Sequence, residues 1–312
     1  MRNLIVLVCV SGGLIACALS SEKQARESAA KMETYPRDVT RETLADEHAL
    51  AELQRAGTVL FTDGFESAES LERYFEVRGA HDGRAVVTRA RARAHGGDGA
   101  LQLTAPDNEG NSAGAGVSGW LGEAGHERVY LRYYLRVADD YDQGPLHHTG
   151  GSLVGVAGTD KWRGMGSAGL RPKGDDHFST AFETWRDWGG VASPGYGHLY
   201  TYWMDMRLDR DGHYWGNMLA PEPELRVVPA RDRWTCFEVM VRVNTPGAAD
   251  GELAAWIDGR LYAHFRGFRW RSAATVLLKR FGLDVYVHRA RRTNIVWYDD
   301  VVVSTGYVGP QR

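Results

Sequence analysis

The sequence has little cysteine, with three residues among 312, at Cys9, Cys17 and Cys236. Cys9 lies in an N-terminal apolar stretch that has the features of a removable export signal, and Cys17 follows that stretch, where a lipid would modify it. Cys236 is then the one cysteine with an unmodified thiol, which excludes an intrachain disulfide. The folded part must be held by its core, and about 255 residues are enough to build one.

The N-terminal part also lacks a hydrophobic run long enough to span a bilayer. The apolar stretch at residues 4–15 is interrupted by Ser-Gly-Gly, and it is shorter than the ~20 residues of a transmembrane helix. It ends in Leu14-Ile15-Ala16-Cys17, an order of residues typical of lipid attachment. We expect residues 1–16 to be removed as a lipoprotein signal peptide, and Cys17 to anchor an exported protein to the bacterial cell envelope, with the outer membrane as the expected site. The alternative is cleavage near Ala18, which would release a secreted protein.

An excess of positive charge is missing as well. Lysine and arginine number 37 against 40 aspartates and glutamates, for a formal net charge of -3. This balance gives no indication of nucleic-acid binding, and no glycine-rich loop between a strand and a helix indicates a nucleotide site. The expected contact with a membrane is through the lipid anchor alone.

Residues 17–56 are predicted to form the lipidated cysteine and a flexible tether. The stretch is polar and charged, with Pro36 in its middle and a possible short helix over 41–55. A lipid-anchored domain needs a spacer of this kind to clear the membrane surface. A helix packed against the domain is the alternative. We therefore expect the folded domain to begin where the tether ends and to cover residues 57–312.

From Val59 onward the sequence changes to short segments of alternating polarity, separated by glycine, aspartate, asparagine and proline. About twelve such segments predict an antiparallel all-β fold, arranged as a two-sheet jelly-roll sandwich. They lie near residues 58–62, 84–92, 99–104, 127–138, 150–157, 177–185, 198–208, 234–244, 253–258, 260–266, 280–288 and 294–304.

Alternation along these strands separates core residues from a polar and aromatic set, because successive side chains point to opposite faces of a sheet. If the strands share one concave sheet, its open face is predicted to carry Arg132, Tyr134, Glu183, His198, Tyr200, Tyr202, Tyr286 and His288. Such a surface suits a sugar ligand. The alternative is that these residues form cross-strand pairs that only stabilise the sheet.

Several segments resemble polysaccharide lyase family 14, over roughly Gly150 to Pro310. They read GSLVGVAG, GLRPKGDDHFSTAFETW, GHLYTYW, VRVNTPGAADGELAAWIDGRLYAHFRGFRWR and WYDDVVVSTGYVGP. The resemblance implies a concanavalin-like β-jelly roll, whose concave cleft binds acidic polysaccharides such as alginate or glucuronan. It also implies β-elimination at a uronic acid, in which a cation neutralises the carboxylate, a base removes the C5 proton and an acid protonates the leaving oxygen.

The family site combines a lysine before a Leu-Pro-Gly turn, a serine and an arginine in FSxR, and two tyrosines in LYxY. Ser179 matches the family serine, and Tyr200 and Tyr202 match the tyrosine pair. Ser152 stands where the family has its lysine, and Ala181 where it has its arginine. We count Ser179, Tyr200, Tyr202 and the neighbouring His198 as catalytic candidates, and the other five residues of the open-face set as substrate-binding candidates.

Two interpretations of the missing cations stay open. In one, positive charge or a base comes from a neighbouring strand, with candidates Arg128, Arg132, His147, His148, Lys173, Arg207 and His288. In the other, catalysis is lost and a surface glycan-binding lipoprotein remains. A glycosidase would need a second carboxylate beside Glu183, and a structural envelope protein would bind no sugar.

No cofactor is required by this chemistry, although a structural calcium ion is a further hypothesis. Asp63 and Glu66 in DGFE, and Asp300 in YDD, lie near the first and last strands, which are neighbours in many jelly rolls. Carboxylate oxygens are the ligands that calcium prefers. Zinc has no support, because one unmodified thiol and irregularly spaced histidines do not make a zinc site.

Overall fold

The computed structural model of the protein describes residues 35–311. The predicted signal peptide, Cys17 and the first part of the predicted tether lie outside the described residues. Within residues 35–311, no helix is long and apolar enough to cross a membrane. Cys236 is a buried free cysteine.

Strands are the main regular structure of the described chain, as the alternating segments predict. In chain order they are β1 (Arg37–Asp38), β2 (Val59–Asp63), β3 (Glu76–Arg78), β4 (Ala85–Thr88), β5 (Ala100–Ala105), β6 (Ala113–Trp120), β7 (Arg128–Val137), β8 (His147–Val156), β9 (His177–Trp185), β10 (Tyr196–Tyr202), β11 (Asn217–Leu219), β12 (Thr235–Arg242), β13 (Gly251–Ile257), β14 (Arg260–Phe268), β15 (Leu277–Val287) and β16 (Asn294–Ser304). Two helices, α1 (Thr40–Ala45) and α2 (Glu47–Leu53), precede β2. Short 3-10 helices cover Ala68–Arg73, Arg91–Arg93, Asp187–Gly189 and Pro223–Leu225.

The strands form two antiparallel sheets. The nine-stranded sheet has the order β1-β14-β13-β12-β7-β16-β5-β4, with β2 also paired to β16. The seven-stranded sheet has the order β11-β10-β9-β8-β15-β6-β3. Since neighbours along each sheet are often far apart in sequence, the arrangement is the two-sheet sandwich expected of a jelly roll.

The core lies between the two sheets. On β7, Leu131, Tyr133 and Leu135 point into it and are at most 3% exposed. The Tyr133 hydroxyl donates a hydrogen bond to the carbonyl oxygen of Phe182 on β9, at 2.5 Å, which links the sheets directly. The ring of Phe182 lies 5.1 Å from that of Phe237 on β12. Because Phe182 faces the core, its neighbours on β9 face the opposite side of the seven-stranded sheet.

The prediction that the chain is a tether up to residue 56 is wrong for residues 37–53. β1 pairs with the edge strand β14, and α2 lies against the nine-stranded sheet through Leu53, which is 5% exposed and packs in a cluster with Tyr130 and Trp256. The Tyr130 hydroxyl also donates to the carbonyl oxygen of Leu53 at 2.6 Å. These apolar contacts in a mostly polar stretch place the start of the folded domain near Pro36.

Replacing Leu53 by alanine tests this correction. We expect Leu53→Ala to lower the free energy of unfolding by about 2–4 kcal/mol, because it removes a buried side chain and leaves a cavity beside Trp256. Urea denaturation measures the change. Leu44→Ala is the matched control, because Leu44 on α1 is 45% exposed. If both substitutions had equally small effects on the free energy of unfolding, the interpretation of this segment as a tether would be correct.

Candidate functional site

The face of the seven-stranded sheet that points away from the core, here called the open face, carries most of the predicted site. Across β8, β9 and β10, Glu183 lies opposite Gly150 and His198, and Ala181 lies opposite Ser152 and Tyr200. In the next row, Ser179 lies opposite Val154 and Tyr202. Residues opposite one another in an antiparallel pair share a face. Period-two alternation therefore placed the β9 and β10 candidates together correctly.

The prediction that Arg132 and Tyr134 join this face is wrong. Both lie on β7, which pairs with β12 and β16 in the nine-stranded sheet. They point away from the core on that sheet, where Arg132 is only 3% exposed. The Tyr134 hydroxyl accepts a hydrogen bond from the backbone N–H of Gln311. Alternation tells which residues leave the core, but it does not tell which of two sheets a strand joins.

Tyr200 and Tyr202 form a pair of hydroxyl groups on β10. Their hydroxyl oxygens are 3.2 Å apart and their rings are edge to face. Both side chains are half-buried. Burial, followed by the neighbouring Tyr202, raises the pKa of Tyr200 well above its usual value, so Tyr200 keeps its proton at neutral pH. A protonated phenol beside a second phenol can donate a hydrogen bond to it.

Glu183 lies between two histidines on the neighbouring strands. Its Oε1 atom is 3.0 Å from Nδ1 of His148 on β8 and 3.3 Å from Nε2 of His198 on β10. Burial alone would raise the pKa of Glu183, but His148 and His198 outweigh it and lower that pKa to about 2. The carboxylate is therefore charged across the working pH range of most enzymes.

His148 is the cation that this carboxylate holds on the open face. Burial opposes the charged form of His148, but the charge of Glu183 and its hydrogen bond outweigh burial and raise the pKa of His148. The His148 side chain is 30% exposed, and its ring centroid lies 4.9 Å from that of Tyr200. Among the residues considered as relocated cations, His148 lies beside Tyr200 of the tyrosine pair. The adjacent His147 is 1% exposed, and burial lowers its pKa to about 3.

Two further predicted residues, Tyr286 and His288, lie on the open face on the other side of His148 from Tyr200. Tyr286 on β15 lies opposite His148, and His288 follows the end of that strand. The His288 ring centroid is 5.4 Å from that of His148 and 4.9 Å from that of Tyr286. Burial, followed by the charge of His148, lowers the pKa of His288, which therefore favours its neutral form.

An ion pair that the sequence analysis did not predict lies on the same face. Asp284 on β15 is 2.5 Å from an Nη2 nitrogen of Arg78 on β3. Gly116 on β6 leaves the room for it, since a Cβ there would lie 2.1 Å from the Asp284 carboxylate. Arg78 is a second positive group at the side of the open face. Its strand has three residues, too few for an alternating pattern to be recognised.

Loops fixed to the sheet border the tyrosine end of the open face. Arg280 on β15 donates to the carbonyl oxygens of Lys161 and Arg163, at 2.6 and 3.1 Å, and holds the loop between β8 and β9. That loop is bridged to the loop after β10 through Gly169 and Tyr214. These contacts fix the two loops beside this end of the open face.

Gly216, just before β11, makes room for the catalytic candidate Tyr200. A Cβ at Gly216 would lie 2.5 Å from the Tyr200 ring. We expect Gly216→Ala to displace this ring and to lower about 10-fold or more any rate that depends on Tyr200, since small displacements of a reacting group are costly. Initial rates measure the effect. Gly64→Ala is the control, because a Cβ at Gly64 would meet no atom closer than 3.7 Å; equal rates for the two variants would contradict the placement of Tyr200.

The carboxylates proposed for calcium are engaged with protein groups. Asp63 accepts from the backbone N–H of Phe65 and the hydroxyl of Ser70. Glu66 accepts from the backbone of residues 98 and 99, and Asp300 lies 2.6 Å from His95. Over residues 35–311, no group of three or more histidine, cysteine, aspartate or glutamate side chains is placed to hold one metal ion. The predicted pairing of the first long strand with the last is nevertheless found, between β2 and β16.

Solved structures that resemble this chain in fold include polysaccharide lyases. The marine alginate lyase of polysaccharide lyase family 14 from Aplysia kurodai superposes with a TM-score of 0.57 at 13% identity, covering 81% of this chain and 100% of its own. An alginate lyase from Chlorella virus gives 0.58 at 13% identity, covering 79% and 99%. The endo-β-1,4-glucuronan lyase from Trichoderma reesei gives 0.52 at 16% identity, covering 80% and 100%.

No protein-family model matches the sequence, and no curated protein matches it either. At 13–16% identity, the structural likeness concerns the fold. The jelly roll expected from the sequence motifs is confirmed at that level. The chain has a polysaccharide lyase-like fold, made of two antiparallel sheets.

Proposed function

We propose that the protein binds a uronate-containing polysaccharide on the open face and cleaves it by β-elimination. The observation that carries the proposal is the Tyr200–Tyr202 hydroxyl pair beside His148, which Glu183 keeps charged. These groups meet the needs of the reaction: a cation for the carboxylate, a base for the C5 proton and an acid for the leaving oxygen. The lyase-like fold supports the same substrate class.

His148 takes the part of the missing family cation. Its imidazolium is accessible on the open face and lies next to Tyr200. Positive charge beside a uronate carboxylate withdraws electron density from C5 and makes the C5 proton more acidic. Glu183 acts as a positioning residue, because it holds the proton on His148 and fixes the ring through a hydrogen bond.

Tyr202 is assigned as the base. In its reactive form it is a phenolate, which the hydroxyl of Tyr200 stabilises by donating a hydrogen bond over the 3.2 Å between the two oxygens. Ser179, opposite Tyr202 on β9, is close enough in the sheet to contact the same sugar.

The bonds and protons balance within this set. Tyr202 removes the C5 proton, the electron pair left on C5 forms the C4–C5 double bond, and the bond from C4 to the glycosidic oxygen breaks. Tyr202 then returns its proton to the leaving oxygen, which restores the phenolate. The proposed steps use side chains of this chain and no external base.

The proposal is tested by incubating the purified protein with alginate, glucuronan and pectate over a range of pH. A product with a conjugated unsaturated uronate raises the ultraviolet absorbance, and the rise is expected with at least one polyuronate. Calorimetry on the same samples measures binding separately. Binding with no absorbance change on any of them would refute the elimination.

A glycan-binding lipoprotein without catalysis is the second candidate. Ser152, Ala181 and Tyr200 lie in one row on the open face, so the two departures from the family pattern fall directly beside the tyrosine pair. The binding candidates Tyr286 and His288 would still orient a sugar there. In that case a polyuronate binds, and its chain length stays unchanged on gel filtration.

We also propose that the domain is exported and anchored through a lipid on Cys17. The Leu-Ile-Ala-Cys sequence at the end of the N-terminal apolar stretch supports this. Cells fed a labelled fatty acid are expected to label the wild-type protein and not Cys17→Ser. Equal labelling of the two would contradict the anchor.

A further inference from the structure

An exposed tryptophan lies at the end of the open face that is opposite the tyrosine pair. Trp188 lies between β9 and β10 and is 62% exposed, although tryptophan is one of the largest apolar side chains. Exposed aromatic rings are costly to keep in water and are typical of ligand-contact surfaces. Its place at the end of β9 puts it at the strand end opposite the loops that border the tyrosine pair.

The backbone presents Trp188 in a conformation that a bulky residue rarely adopts. Asp187 and Trp188 have φ angles of 48° and 54°, in the left-handed region. Strained residues of this kind often mark ligand-binding positions. The segment is tied down on both sides, since Arg186 donates to the carbonyl oxygen of Val191 and Ser193 donates to that of Tyr141. The ring is therefore held in place and not left on a loose loop.

A chain of side-chain contacts connects Trp188 to the reaction centre. Trp188 meets Trp185 edge to face, with ring centroids 5.0 Å apart. Trp185 in turn lies 5.5 Å from His198, which lies 3.3 Å from the Glu183 carboxylate. The exposed ring thus continues the open face beyond the residues assigned to the reaction.

We propose that Trp188 is a stacking platform for a pyranose ring of the bound polysaccharide, at a sugar that does not react. This inference rests on the proposed function. The C–H face of a pyranose ring packs on an aromatic face, and stacking requires no charge on that sugar. Binding energy at a remote sugar is the same before and during the reaction, so it holds the polymer on the open face and favours long chains over short ones.

The test compares Trp188→Ala and Trp188→Phe with the wild-type protein. Calorimetry is run with the polymer that binds best and with the shortest oligosaccharides of that polymer that still bind. Trp188→Ala is expected to raise Kd for the polymer about 10-fold, while Trp188→Phe keeps most of the affinity. Short oligosaccharides are expected to bind the three proteins equally. In kinetics, KM for the polymer rises and kcat is unchanged.

Leu44→Ala is the control, because Leu44 is an exposed apolar residue on α1, which packs on β14 of the other sheet. Thermal unfolding of the variants checks that the fold is intact. An unchanged Kd of Trp188→Ala for the polymer would overturn the proposal that Trp188 stacks on a sugar. A wild-type protein that binds polymer without forming an unsaturated product would refute the elimination alone, whereas a protein that binds none of the polysaccharides would refute both proposals.

Discussion

Replacing Tyr202 by phenylalanine is expected to lower the rate of elimination by at least about 100-fold, while leaving polysaccharide affinity within a few-fold of wild type. The substitution removes one oxygen atom, the one proposed to take the C5 proton and return it to the leaving group. The ring stays, so its contacts with Tyr200 and the sugar are retained. Initial rates by ultraviolet absorbance, together with calorimetry, measure the two effects separately.

Tyr307→Phe is the matched control for the loss of a hydroxyl. The Tyr307 ring packs on Trp256 of the nine-stranded sheet, on the other side of the molecule from the open face. It is expected to keep the full rate. If Tyr202→Phe also kept more than half of the wild-type rate, the assignment of Tyr202 as the base would be wrong.

Replacing Glu183 by glutamine is expected to have the second large effect, on activity and on stability. Without the carboxylate, the pKa of His148 falls, because the charge and the hydrogen bond of Glu183 no longer oppose the effect of burial. His148 then loses its proton at a lower pH than in the wild-type protein, and the rate at neutral pH is expected to drop about 10-fold or more relative to wild type. The loss should be smaller in acid, where His148 regains its proton. A rate ratio that is constant over pH would contradict this role of Glu183.

The same pair makes the free energy of unfolding depend on pH. The pKa of Glu183 is lowered from 4.5 to about 2, so its stabilisation is complete above about pH 4.5 and is lost as pH falls toward 2. The pKa of His148 is raised from 6.5, so its stabilisation is complete below about 6.5 and is lost as pH rises through the folded value. The wild-type protein should therefore gain most from the pair between about pH 4.5 and 6.5.

Urea denaturation across pH measures this contribution. In that window Glu183→Gln is expected to cost about 3–5 kcal/mol, because one partner of a buried ion pair is removed. As pH rises through the folded pKa of His148, the difference between the two proteins should shrink, because His148 then loses its charge in the wild-type protein as well. A difference that stays constant from pH 5 through the alkaline range would show that the pair is not charged in the wild-type protein.

The strands and one face of the site could be predicted from the sequence, because both depend on period-two alternation. Glu183, His198, Tyr200 and Tyr202 follow from it directly. Sheet membership does not: Arg132 alternates as Glu183 does, yet β7 belongs to the other sheet, and that pairing is set by contacts between distant segments.

β6 was not predicted, although it pairs along its whole length with β15. It reads AGAGVSGW, and small residues carry little alternation of polarity. The structure gives a reason for one of them, since a Cβ at Gly119 would lie 2.2 Å from the ring of Phe281. The small side chains make room for large neighbours on β15, which a pattern within one strand cannot reveal.

The N-terminal segment shows a similar limit. Residues 40–53 are mainly polar, and their charge favours an exposed spacer. The few apolar residues among them, such as Leu53, nevertheless pack against the nine-stranded sheet.

His148 is one of several possible cations in the sequence, and only its position opposite Tyr286 and beside Glu183 distinguishes it.

The central claim is that a uronate polymer is cleaved by elimination on the open face. Mass spectrometry of products formed by the wild-type protein in water enriched in heavy oxygen tests it most directly. Elimination predicts oligosaccharides with an unsaturated non-reducing end and no heavy oxygen, when masses are read before the reducing ends exchange oxygen with water, and at least about 100-fold less of them from Tyr202→Phe. Saturated products that each carry one heavy oxygen, or a polymer left intact while bound, would contradict it.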